Sequence, residues 1–136
     1  GLKTVVVTNG CFYPDAMGEL FALVDAWNID LKGFSQAWYS RLGGSLRVVQ
    51  AFIEEAHRHG HVELTTLAVP GENDSEAEMA ALTDWVASIS RDMPLHISRF
   101  FPRHLARDSM PTPKATMERL GSIAESRLTY VYLGNM

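Results

Sequence analysis

Apolar and polar positions along this chain switch between a two-residue and a 3.6-residue period. Thr4-Val5-Val6-Val7-Thr8 is a β-branched run closed by Asn9-Gly10, which reads as a buried strand and its turn. Pro14 suits the first turn of a helix running through Met17, Leu20, Phe21 and Val24. In the stretch from Trp27 to Gly33, Asn28, Asp30 and Lys32 alternate with Ile29 and Leu31, so a strand there carries its three polar side chains on one face. Ser35 can cap a short helix containing Trp38, Tyr39 and Leu42, before the flexible pair Gly43-Gly44. Leu46, Val49, Phe52, Ile53 and Ala56 recur at helical spacing, and that helix stops at Gly60 after Arg58 and His59. A third strand spans 62–69 and ends at Pro70-Gly71. Ser75 and Glu78 form a capping box for a helix with Met79, Leu82, Val86 and Ile89 on one stripe. A fourth strand covers 95–101, and a loop with Pro102, Pro111 and Pro113 follows. Thr112-Pro113 reads as a cap followed by Pro at the first helical position, opening a helix with Met117, Leu120 and Ala124 inward. The fifth strand spans 128–133.

Strand and helix alternate throughout, with crossovers of roughly 15 to 30 residues, which is the pattern of a parallel α/β sheet. Periodicity leaves two architectures open, an open doubly wound sheet and an arc of a barrel. In both, ligands bind beyond the carboxyl ends of the strands. Those ends carry Thr8-Asn9-Gly10, Asp30-Leu31-Lys32, residues 65–73 and Ser98-Arg99, so polar residues collect on one rim.

Composition narrows the class. The 136 residues make one domain, with 46% hydrophobic and 21% charged residues, ordinary for a globular chain. A net charge of −4 gives no reason to expect a nucleic-acid or anionic-membrane partner. No apolar run approaches the roughly 18 residues of a membrane span, and the chain starts directly on a strand-like run, so no secretory leader is expected. A single cysteine, Cys11, excludes an internal disulfide and any site built from several thiolates. A reducing cytoplasm is the default location.

Each candidate group has a bland reading beside the functional one. Asp30 and Lys32 can be a ligand-binding acid and base, or an ion pair that only fixes register. His57, His59 and His61 resemble a metal triplet, but residues two apart on a helix do not share a face, and they fall at the amino-terminal rim. His96 begins a strand and reads as a satisfied histidine. Cys11 has no adjoining cation to stabilise a thiolate and reads as a small apolar residue. Gly43-Gly44 follows a helix, so it is a linker and no phosphate loop; a Gly-x-Ser-x-Gly elbow is absent, which speaks against a doubly wound hydrolase.

Four motifs stand in order on the predicted strand ends: Thr8-Asn9-Gly10; Ile29-Asp30-Leu31-Lys32-Gly33-Phe34; Val69-Pro70-Gly71-Glu72-Asn73-Asp74; and Ser98-Arg99-Phe100-Phe101-Pro102. With them the chain resembles the radical S-adenosylmethionine (SAM) enzymes of the pyruvate formate-lyase activating type, and within these the AmmeMemoRadiSam system radical SAM enzyme. The resemblance runs over essentially the whole chain and implies a parallel α/β fold, a fragment of a partial (β/α)6 barrel with about five strands. It also implies SAM and a four-iron, four-sulfur (4Fe–4S) cluster at the mouth. The cluster donates an electron to SAM, and the resulting 5′-deoxyadenosyl radical abstracts hydrogen from a substrate, often a glycine of a glycyl-radical partner enzyme. The family's Cys-x3-Cys-x2-Cys loop and its Gly-Gly-Glu are not in this sequence. The chain therefore resembles the carboxyl-terminal portion of such an enzyme, lacking the cluster-binding first strands and inactive alone.

By resemblance, Thr8 and Asn9 lie beside SAM, while Asp30 and Lys32 match the Asp-x-Lys at its methionyl end. The sequence departs from the family at three places. Val7 stands where activating enzymes carry an Asp of a cation site, and Thr65 aligns with an Arg. Arg99-Phe100-Phe101-Pro102 replaces a Leu-Pro-Tyr-His, so that Arg99 is a candidate for the missing positive charge. A barrel fragment of this kind is expected to expose a sheet edge and an apolar lumen, and to self-associate. The alternative class is a stand-alone, non-catalytic α/β ligand-binding module.

Overall fold

In the computed structural model, residues 1–106 and 108–136 are described. The strands are β1 (Val5–Thr8), β2 (Ala26–Asp30), β3 (His61–Ala68), β4 (Leu95–Arg99) and β5 (Val131–Gly134). The helices are α1 (Gly18–Leu23), α2 (Gln36–Arg41), α3 (Leu46–His59), α4 (Glu76–Ile89) and α5 (Lys114–Glu125). All neighbouring strands pair in parallel, in the order β1-β2-β3-β4-β5. A doubly wound sheet reverses its strand order at a switch point. This sheet never does, which selects the barrel arc of the two architectures.

The two faces of the sheet differ. Trp27 and Ile29 of β2, Val62, Leu64, Thr66 and Ala68 of β3, and Leu95 and Ile97 of β4 are buried under the helices. Helix α3 answers with Val49, Phe52, Ile53 and Ala56, and α5 with Met117, Leu120 and Ala124, all fully buried. Phe21, Trp27 and Phe52 pack as an aromatic triangle with ring centroids 5.1 to 5.3 Å apart, an arrangement that adds to plain area burial. Helices α3 and α5 thus spend their 3.6-period stripes on the sheet, as their sequences predict, while α4 packs mainly on α5. No helix among the described residues is long and apolar enough to cross a membrane.

The opposite face is uncovered. Register places Val5 and Val7, then Asn28 and Asp30, then Glu63, Thr65 and Leu67, then His96 and Ser98, and finally Tyr132 on it. The sequence reading of β1 as a buried strand is corrected here: β1 is an edge, with Val5 and Val7 exposed. The expectation of an apolar lumen is also corrected. Apolar side chains flank the face at Val5, Val7, Leu67 and Tyr132, but its centre is a hydrogen-bonded polar field.

Three local expectations change as well. Pro14 opens a 3-10 turn over Pro14–Met17 before α1, and Val24 falls just past the helix. Ser75 caps α4 by accepting from the Glu78 N–H at 3.1 Å, but Glu78 does not close the capping box. Its Oε1 instead accepts from the Phe34 N–H at 2.6 Å. Thr112 is not a side-chain cap either, since α5 begins at Lys114 with Pro113 at the cap position. Its buried hydroxyl donates to the Ala68 carbonyl (2.6 Å) and accepts from the Phe100 N–H (3.2 Å), tying the loop to β3.

Candidate functional site

The carboxyl ends of β2 and β3 build the site. Alternation along β2 and the two residues after it sends Ile29 and Leu31 into the core and leaves Asn28, Asp30 and Lys32 on the uncovered face. Lys32 Nζ donates to Asp30 Oδ2 at 2.9 Å, with the two side chains 41% and 37% exposed. An ion pair so accessible to water contributes about 0–1 kcal/mol, so it opens cheaply. Asp30 Oδ1 has no partner among the described residues. Thr65 lies beside Asp30 in register, and its hydroxyl donates to Asn28 Oδ1 at 2.9 Å.

The main chain of Lys32 is held far more firmly than its side chain. Its N–H donates to the Tyr39 hydroxyl at 2.9 Å. Its carbonyl accepts from the Trp38 indole N–H and from Asn73 Nδ2, both at 2.8 Å. Burial pushes the Tyr39 phenol up to about 12, so it is neutral at physiological pH. None of these holding residues follows from the pattern of the sequence. The Ser35 cap, whose hydroxyl accepts from the Trp38 N–H at 3.2 Å, is the one local signal that orients α2 toward Lys32.

Lys32 borders two cavities. One of about 390 Å³ is lined largely by apolar side chains, including Trp38, Leu42, Leu67, Val69 and Phe100. Its rim carries Arg41 and Glu72, which form a two-pronged ion pair, the second contact at 2.8 Å, and Arg41 lies over the Trp38 ring at 5.2 Å. The other, about 140 Å³, is walled by Asn9, Cys11, Tyr39, Gly43 and Gly44. The Gly43-Gly44 pair is thus a wall of the site, with the Gly44 N–H bound to the Tyr39 carbonyl at 2.9 Å. A wider depression, about 680 Å³, runs along 15–23 on the outer surface. Its lining comes from the 3-10 turn and α1, away from the strand ends, and includes none of the strand-end residues singled out above.

The sequence candidates divide. Asn9, Asp30, Lys32 and Thr65 gather on the uncovered face or its rim. Thr8 partners Ile29, so its side chain starts from the helix-covered side, where its hydroxyl accepts from the Gly10 N–H at 3.1 Å. Arg99 partners Ala68 on that same side; its Nε donates to the Thr112 carbonyl at 2.6 Å and its guanidinium stacks on Phe101. The three clustered histidines do not meet: His59 pairs with Glu55 and stacks on Phe21, while His61 turns to Glu63. Glu63 accepts from His61 at 3.0 Å and from His96 at 2.6 Å. These two hydrogen bonds, His61 first, lower the Glu63 pKa from its ordinary 4.5. Tyr132 stacks on His96 at 5.1 Å. Among the described residues no group of three or more His, Cys, Asp or Glu is arranged to hold a metal ion.

Comparison with known proteins agrees on the fold class, a parallel five-stranded arc alternating with helices. A domain of pyruvate-formate lyase-activating enzyme from Bacteroides vulgatus superposes on 99% of this chain and 83% of its own, with a TM-score of 0.83 at 14% identity. TYW1 with a lysine–pyruvate adduct bound matches 96% of this chain and 43% of its own (TM-score 0.65, 16% identity). A radical SAM methyltransferase from Sphaerobacter thermophilus matches 95% and 39% (TM-score 0.65, 16% identity). In sequence, an uncharacterized protein of Methanocaldococcus jannaschii is 35% identical over 139 aligned positions, which take in all of this chain. The chain spans 41% of the length of that relative. No family model matches.

Proposed function

We propose that this chain is the SAM-side part of a radical SAM enzyme, and that Asp30 and Lys32 hold the amino acid end of SAM. The observation that carries the reading is the Asp30–Lys32 pair itself, half exposed, at the carboxyl end of β2 in this fold and between two cavities. A zwitterionic α-amino acid offers an ammonium to a carboxylate and a carboxylate to an ammonium. Among the described residues Asp30 Oδ1 has no partner, and Lys32 uses one of its three ammonium hydrogens. Exchanging one solvated pair for two charge-assisted contacts favours binding. Asn9 and Thr65 border the same pair, while the apolar walls of the 390 Å³ cavity suit the less polar remainder of the ligand. Thr8 and Arg99, turned toward the helix side and the Thr112 loop, act from behind the rim.

SAM supplies the group whose cleavage starts the chemistry. The residues of this chain bind it, orient it and exclude water from one side. The 4Fe–4S cluster does not fit this chain: cluster irons need thiolate ligands and the sequence carries one cysteine. No electron-transfer step is therefore assigned to these residues. A glycyl-radical enzyme is the partner class that goes with the reading, and the uncovered sheet face is where a partner segment would enter. The test is calorimetric SAM binding by the full-length protein. Asp30→Ala and Lys32→Ala should each weaken it on the order of tenfold; unchanged affinity in both overturns the reading.

A stand-alone binding module is the second reading, favoured by one finding: a domain of pyruvate-formate lyase-activating enzyme whose extent this chain nearly fills has its own crystal structure. A monodisperse, cooperatively unfolding monomer of these 136 residues would favour it, and self-association through the β1 edge would count against it.

A further inference from the structure

Asn73 is 2% exposed and spends its amide on three backbone groups. Its Oδ1 accepts from the Val69 N–H at 2.7 Å, and its Nδ2 donates at 2.8 Å both to the Leu67 carbonyl and to the Lys32 carbonyl. The first two contacts are local and would be enough to fix the loop after β3. The third crosses 41 residues to a carbonyl that the Trp38 indole already satisfies. A second donor on a satisfied acceptor adds little to stability but fixes its direction, because the two donors come from different elements. The same amide binds the end of β3 at Leu67 and Val69, which wall the 390 Å³ cavity, and the neighbouring Glu72 holds α2 through Arg41.

We propose that Asn73 is a positioning residue that acts through Lys32: it sets the direction in which the Lys32 side chain leaves the main chain just past β2 and ties the Asp30–Lys32 pair to the wall of the larger cavity. The proposal rests on the reading that this pair binds the amino acid end of SAM. SAM affinity then depends on a residue with no contact to the ligand, and that dependence runs through Lys32.

The experiment is a double-mutant cycle in the full-length protein, with SAM binding followed by calorimetry for wild type, Asn73→Ala, Lys32→Ala and the double variant. Asn73→Ala should raise Kd on the order of tenfold at unchanged stoichiometry, and by less than about twofold when Lys32 is already Ala. A purely structural role would lower the binding-competent fraction and leave Kd alone; that result overturns the proposal, as does full additivity in the cycle. If Asn73→Ala does not fold, Asn73→Ser carries the same cycle, because it keeps a donor and an acceptor within the loop and is too short to reach Lys32. Tyr39→Phe, which removes only the acceptor for the Lys32 N–H, should show the same coupling on a smaller scale. Unchanged affinity in Lys32→Ala itself would overturn the assignment of the ion pair, an outcome distinct from additivity.

Discussion

Gly33→Ala tests how tightly the end of β2 is built. Gly33 follows Lys32 with φ +154°, a region that favours glycine, and a Cβ there would meet Trp38 Cδ1 at 2.7 Å and Glu78 Oε1 at 2.9 Å. Neither neighbour is free to retreat. The Trp38 indole is bound to the Lys32 carbonyl and lies under Arg41, and Glu78 accepts from the Phe34 N–H. Relief therefore costs about 1–3 kcal/mol of overpacking, about 1 kcal/mol for a lost hydrogen bond and about 1–3 kcal/mol of backbone strain. The expected loss is about 3–7 kcal/mol, against a typical domain stability of about 5–15 kcal/mol. Gly43→Ala is the control: its φ is +76° but a Cβ there meets nothing within 4 Å, so only the strain of about 1 kcal/mol remains. Urea unfolding reads both, as a shift in midpoint at constant m-value. A Gly33→Ala loss no larger than that of Gly43→Ala would refute the steric reasoning.

Two further outcomes follow from side chains on either side of the sheet. The hydrogen bonds from His61 and His96 hold the Glu63 carboxyl below its ordinary 4.5, so its contribution to stability is present above that value. It fades as the pH falls through the lower folded value. Glu63→Gln should accordingly destabilise at neutral pH by a small, solvent-screened amount. The gap to wild type should close in acid, and a gap in the urea midpoint that widens below about pH 4.5 would reverse the sign. Glu78→Ala removes the acceptor for the Phe34 N–H and should cost about 1.5–3 kcal/mol, more than the roughly 1 kcal/mol expected for loss of the Ser75 cap in Ser75→Ala. The opposite order in thermal unfolding would mean that Glu78 serves α4 rather than the β2 end.

The elements and their buried faces were legible in the sequence because period is a local property. The stripe Val49, Phe52, Ile53 and Ala56, the stripe Met117, Leu120 and Ala124, and the alternation that puts Asp30 and Lys32 on one face all appear where the spacing places them. Each follows from backbone geometry over a few residues, as does the capping of α4 by Ser75. Lys32 is held locally by Trp38 and Tyr39, but the contacts that tie the strand ends together are of another kind. Phe34 and Glu78 are 44 residues apart, Ala68 and Thr112 also 44, and Lys32 and Asn73 are 41 apart. A Ser-x-x-Glu or a Thr-Pro reads as a cap in isolation, and only the packed structure shows that Glu78 and Thr112 found stronger calls on their oxygens elsewhere. Strand order is the same case: burial on one face makes a strand but does not say which neighbour it takes, so β1 read as buried although it lies at the edge. The sequence by itself determined which residues could face a ligand. The tertiary structure decided which of them meet, because the hydrogen bond from Asn73 to the Lys32 carbonyl and the pairing of β2 with β3 join segments that only folding brings together.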